Sequence, residues 1–184
     1  MPLGWLAAAL CLALASAPEI AHAQDQPAPE KAPEKTQEKA PENIQQIQHF
    51  EDWELRCEQK DEWEEKTCYI VQSLKADETG RRVLQVLVAR FGAEQALGAL
   101  ISVPIGIRLP PGIVLQIDKK PGRRFPLERC TPQTCQAQVR LADKLLASFK
   151  AGASGRVTFH EASGQAVNVR FSLKGFTAAF KELP

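Results

Sequence analysis

The sequence is poor in the residues that carry chemistry. Three histidines occur in 184 residues, and one of them, His22, falls in a segment expected to be removed. That leaves His49 at the edge of a polar tail and His160 inside an apolar alternation, where each reads as a surface or packing residue. The chain has no G-x-S-x-G elbow, no H-E-x-x-H helix and no glycine loop built to cradle phosphate. Gly152-Ala153-Ser154-Gly155 is turn chemistry. The cysteines are not arranged as CxxC, the arrangement that reactive thiols and zinc knuckles favour. No catalytic residue, cofactor or metal is therefore assigned.

Long apolar runs are also absent. Leu6 to Ala17 is uncharged and apolar but falls short of the ~20 residues that span a bilayer. Ala21-His22-Ala23 supplies small residues at the two positions a signal peptidase inspects, so residues 1–23 read as a signal peptide cleaved before Gln24. A membrane anchor is the alternative, since MPLGW brings no Lys or Arg. Cys11 sits behind Leu10, where a lipoprotein site would want a small residue.

Residues 24–48 contain no aromatic side chain. They are rich in Pro, Glu, Lys, Gln and Ala, with a loose APEK and APEN repeat. Such a segment cannot bury enough apolar surface to offset the entropy of ordering, and a disordered linker is expected. It reads as a solvated tail, or as an arm that reaches a partner. Residues 49–184 are enough for one domain with a real core.

Within that domain the strand pattern is dense. Trp53, Leu55 and Cys57 share one face of FEDWELRC, and Thr67 to Leu74 forms a second strand. Arg81 to Phe91 is apolar on both faces and should be central. Ala96 to Val103 follows, ended by Pro104. Pro110-Pro111-Gly112 suits a type II turn, with Gly112 taking the positive φ. Ile113, Leu115 and Ile117 then alternate with Val114, Gln116 and Asp118, the period of a half-buried strand. Pro121-Gly122 repeats the turn, Phe125 and Leu127 resume the alternation, and Ala137, Val139 and Leu141 continue it. Asp143 to Lys150 is one or two helical turns. Arg156 to Glu161 and Val167 to Leu173 form a last hairpin around Ser163-Gly164. Phe176 and Phe180, four apart, indicate a short closing helix. About eight short strands with turns between them predict an all-β, antiparallel sandwich with a short C-terminal helix.

Charge is unevenly spread. Residues 51–66 hold eight acidic and three basic side chains, whereas residues 67–184 hold 17 basic and eight acidic. The densest basic run, Lys119, Lys120, Arg123, Arg124 and Arg129, flanks Pro121-Gly122. It reads as a solvated hairpin tip or as a patch for an anionic surface such as lipid head groups or acidic polysaccharide. Lys119, Lys120, Arg123 and Arg124 are the candidate interaction patch. The acidic Asp61–Lys66 loop is a second candidate surface. Export and the lack of a stacking platform argue against nucleic acid.

Four cysteines remain after cleavage, an even number in an exported chain, so disulfides are expected. Three connectivities are possible. Proximity and the hairpin reading favour Cys57–Cys68 with Cys130–Cys135, and spacings of ten and four residues do not match a zinc site.

Taken in order, these residues resemble the invasion-associated locus B family of exported bacterial proteins. The resemblance runs through Trp53 and Cys57 (DWELRC), Cys68 and Gln72 (CYIVQ), Val103-Pro104-Ile105-Gly106, Leu109 with Gly112 and the strand to Asp118, Cys130 and Cys135, and Gly175-Phe176. Thr134 departs from it, standing where the family usually carries Gly. The resemblance implies an immunoglobulin-like β-sandwich, periplasmic or outer-envelope residence or secretion, and in some pathogens a link to host-cell invasion. It implies no enzymatic activity or cofactor. The expected function is a non-enzymatic envelope or binding protein with an envelope or host protein, or an anionic surface, as partner. The alternatives are an adhesin that binds a host ligand directly, and an envelope enzyme or redox protein.

Overall fold

The structure is a computed structural model that describes residues 44–59 and 66–184. The signal peptide expected over 1–23, the linker as far as residue 43 and residues 60–65 of the acidic loop lie outside those residues.

Period-two alternation builds two antiparallel sheets. The larger contains β1 (Ile44–Phe50), β2 (Trp53–Glu58), β3 (Thr67–Lys75), β4 (Arg82–Phe91), β5 (Ala96–Pro104), β8 (Arg129–Cys130) and β9 (Thr134–Arg140), in the order β1-β2-β3-β4-β5-β9-β8. The smaller contains β6 (Ile113–Ile117), β7 (Arg123–Phe125), β10 (Ser154–His160) and β11 (Ala166–Ser172), in the order β11-β10-β6-β7. β4 is the middle strand of the larger sheet, as its apolar faces predicted. The antiparallel sandwich expected from the sequence is the fold that forms.

One core lies between the sheets. Leu84, Val86 and Val88 of β4, Ile101 and Val103 of β5, and Ala137 and Val139 of β9 face Ile113, Leu115, Ile117, Val157, Phe159 and Phe171 of the smaller sheet. Two helices complete the core. α1 (Asp143–Ala151) contributes Phe149, and α2 (Phe176–Lys181) contributes Phe176 and Ala179. The Trp53 and Phe176 rings meet edge-on with centroids 5.1 Å apart, and Phe149 packs on Phe176 at 5.3 Å. Phe176 and Phe180, four residues apart, stack at 5.9 Å.

Four expectations need correction. The linker was drawn through residue 48, but Ile44–Phe50 is strand β1, paired antiparallel with β2 from Phe50 opposite Trp53 to Ile44 opposite Glu58. Its apolar residues fall three apart rather than two, so Gln46 and Gln48 stand opposite the buried Cys57 and Leu55 while Ile47 is 43% exposed. A sheet-edge strand tolerates such polarity, and its composition is that of the tail before it. The helix after β9 runs nine residues, longer than two turns, before Gly152 ends it. Gly112 has the expected positive φ of 64°, but its N–H donates to the Leu109 carbonyl at 2.9 Å. Pro110 and Pro111 are therefore the central residues, and the expected type II turn, which needs a positive φ at its second central residue, does not form. Gly122 does not repeat the positive φ, which falls on Asp118 instead. A Cβ on Gly122 would lie 2.6 Å from Val114 Cγ1, so a larger residue there would have to displace that side chain.

Candidate functional site

The sandwich places the basic residues before it places anything resembling a catalytic group. Residues of the hairpin formed by β6 and β7 pair as Ile113 with Phe125, Val114 with Arg124, and Leu115 with Arg123. Successive strand residues point to opposite faces. Arg123 therefore shares the inward side of Leu115, and Arg124 shares the outward side of Val114. The expected four-residue patch is divided by this geometry. Lys119 is exposed at the turn, while Lys120 reaches helix α1, where its Nζ donates to Ser148 Oγ at 3.0 Å. Arg123 lies with its guanidinium 5.6 Å from the centre of the Phe125 ring.

Arg124 belongs to a different constellation, one that spacing along the chain conceals. On the smaller sheet, buried Val157, Phe159 and Phe171 face inward. The residues between them face out. Register puts Gln116, Arg156 and Arg170 in one row, and Arg124, Val114, Thr158 and Asn168 in the next. Arg156 stands directly opposite Arg170. Like charges placed so cost stability rather than adding to it. The strands place no Asp or Glu on this outward face. Thr158 Oγ1 donates to Asn168 Oδ1 at 2.7 Å; Arg124 and Arg170 are exposed and Arg156 is half-buried. The signal was present in the sequence as Arg at the polar positions of two alternating strands, but only the register brings those positions together.

The other expected features fall elsewhere. Cys57 and Cys68 stand opposite each other on β2 and β3, and Cys130 and Cys135 on β8 and β9; both pairs are disulfide-bonded. In the second loop Thr131 Oγ1 accepts the N–H groups of Gln133 and Thr134, so Thr134 closes the turn without a positive φ. Its departure from Gly is thereby absorbed. Of the acidic loop only Lys66 is described, with Nζ donating to Gln46 Oε1 at 2.9 Å. His49 Nδ1 lies 3.7 Å from Glu54 on the larger sheet. His160 sits at the end of the outward face of β10. Among the described residues no three His, Cys, Asp or Glu side chains gather to hold a metal.

The larger sheet carries the most strongly perturbed acid–base group. Tyr69 donates its hydroxyl to the Glu58 carboxylate. Burial, and then that bond and charge, push its phenol up to about 12. Arg56 makes two bonds to Glu54, at 2.6 and 2.8 Å. Burial opposes its charge, yet Glu54 outweighs burial and raises its pKa. This cluster ties β2 to β3. A mostly apolar groove of about 460 Å³ lies at one end, between Val83, Pro104, Phe159 and Val169, with Ile105 46% exposed at its rim.

Residues 53–184 match the family model described as invasion associated locus B (IalB) protein. The chain belongs to the invasion associated locus B family. An invasion protein B homolog of Brucella abortus strain 2308 is 33% identical over 136 residues, 73% of this chain and 76% of the relative. A second, from Brucella abortus biovar 1 strain 9-941, matches to the same extent. In fold the chain is similar to the crystal structure of invasion associated protein B from Bartonella henselae. The TM-score is 0.64 at 20% identity, over 74% of this chain and 94% of that one. In the family's terms, the two disulfides and the Val103–Gly106 segment all lie within the matched region. The disulfides fit an oxidising compartment, and among the described residues no helix is long and apolar enough to cross a membrane.

Proposed function

We propose that this family member is an exported, non-enzymatic binding module of the cell envelope. Its outward arginine face would meet phosphate-bearing lipid head groups. The observation that carries the reading is the direct opposition of Arg156 and Arg170 on strands that hold no Asp or Glu. Such a face is a cost to the folded chain that an anionic partner removes. Arginine suits this partner because its planar donor fork engages two phosphate oxygens at once. Two disulfides support export, since such bonds persist in oxidising compartments. A link to invasion then follows indirectly, through the envelope.

A photo-crosslinking amino acid at Ala166, exposed on the same face, tests this in the native host. Lipid adducts are expected, and they should disappear in the Arg156→Glu, Arg170→Glu variant. Adducts with host protein alone would favour a direct adhesin and sink the envelope reading.

A further inference from the structure

A second basic site lies on the other side of strand β7, between the β6–β7 hairpin and helix α1. A cavity of about 240 Å³ opens there. Its floor is Leu115 and Ile117 from the inward side of β6 and Leu145 from α1. Three cations, Lys120, Arg123 and Lys144, line it together with Ser148. Floor and rim each draw on both the β6–β7 hairpin and helix α1, so one local motif does not account for the site.

The cations are held in place. Pairing with Leu115 keeps Arg123 on the inward side. Ser148 Oγ accepts from Lys120 Nζ at 3.0 Å and donates to the Lys144 carbonyl at 2.9 Å, fixing the lysine against the helix. The nearest carboxylate in the hairpin is occupied elsewhere, since Asp118 accepts the N–H groups of Ala153 and Ser154 at 3.1 and 2.9 Å. Asp143 is exposed in the first turn of α1, beside Lys144. Among the described residues no ion pair joins a carboxylate to these three cations.

We infer that this cavity binds a single-chain amphiphile with a phosphate head. The alkyl chain would lie on Leu115, Ile117 and Leu145, and the phosphate would be met by the Arg123 fork and the two ammonium groups. At roughly 30 Å³ for each water-sized group, the space holds about eight such groups, shared between the phosphate head and the methylenes next to it. Each methylene buried multiplies affinity about fourfold. Chain and head are both needed, which separates this site from a free-phosphate site and from a bare apolar pocket. It also goes beyond the outward face, which meets a surface rather than enclosing one molecule.

The test is calorimetric titration of the full oxidised chain with octyl phosphate below its micellar concentration, beside inorganic phosphate and octyl glucoside. Octyl phosphate should bind at least tenfold more tightly than either. Arg123→Gln with Lys144→Gln should weaken it at least tenfold at an unchanged melting temperature. Lys144→Gln alone, at an exposed helical position, serves if the double variant folds poorly, and should weaken it severalfold. Equal binding of octyl glucoside, or full affinity in a folded charge variant, would overturn the assignment. The Arg156→Glu, Arg170→Glu variant should bind octyl phosphate normally. Loss of octyl phosphate in that variant would move the ligand to the outward face and overturn the cavity, whereas failure of vesicle binding alone would count against the surface reading only.

Discussion

The Gln72 side chain holds the backbone of Ser172, a hundred residues away, by both of its polar ends. Its Oε1 accepts the Ser172 N–H at 2.9 Å, and its Nε2 donates to the Ser172 carbonyl at 3.3 Å and to the Asp52 carbonyl at 2.7 Å. Trp53 Nε1 reaches the same Ser172 carbonyl at 3.0 Å. Gln72 is one of only two buried polar residues among those described, and it joins β3 of one sheet to β11 of the other. Replacing it with Leu would remove the partner of the half-buried Ser172 N–H, beside a cleft of about 500 Å³. Gln72→Leu should cost about 2–3 kcal/mol in denaturant unfolding. An unchanged midpoint would show that this strut contributes nothing.

Tyr69 is the only tyrosine in the chain, so its ionisation can be followed by ultraviolet absorbance without interference. The midpoint should lie near pH 12 rather than near the ordinary value of about 10. Because the folded pKa is raised, the proton is held more tightly in the folded state. The associated stability is complete below about pH 10 and falls away as the pH climbs to about 12. Tyr69→Phe should remove that portion of the alkaline decline, and an ordinary midpoint would mean the Glu58 contact does not form in solution.

The two disulfides should differ in weight. Closing a separation of 11 residues, Cys57–Cys68, constrains the unfolded chain by about 3 kcal/mol. Closing five, Cys130–Cys135, gives about 2 kcal/mol. Serine pairs at each site, compared by thermal unfolding, should therefore rank the first as the more costly loss. A reversed order would point to strain or residual structure rather than loop closure.

Gly175 precedes α2 with φ of 82°, and a Cβ there would lie 1.9 Å from the Phe50 carbonyl oxygen. Gly175→Ala meets both penalties at once and should lose more than about 2 kcal/mol. Circular dichroism melts would detect it, and a loss below 1 kcal/mol would show that the β1–β2 turn yields easily.

These residues also show what the sequence makes legible. The alternation of Ile113, Leu115 and Ile117, the positive φ at Gly112 and the aromatic pair Phe176 and Phe180 each report a local rule, and each appears in the fold as read. The β1 strand does not, because Ile44, Ile47 and Phe50 follow no strand period and adjoin a tail of the same composition. The charged sites fail for a different reason. Arg123 and Arg124 are neighbours in sequence and strangers in space, while Arg156 and Arg170 are neighbours only through a hairpin register. Lys144 enters its cavity from a helix that local patterning places but does not dock. Cross-strand register and helix docking are long-range facts, and a single sequence does not display them.

The most direct measurement of the central claim is vesicle flotation of the oxidised protein lacking residues 1–23. Vesicles of phosphatidylglycerol and of phosphatidylcholine would be compared at low and physiological salt, beside the Arg124→Glu, Arg156→Glu, Arg170→Glu variant. Three arginines at about 1 kcal/mol each predict a preference of roughly hundredfold for the anionic vesicles, weakened by salt and lost in the variant. Equal binding to both lipids, or undiminished binding by a variant that melts normally, would contradict it.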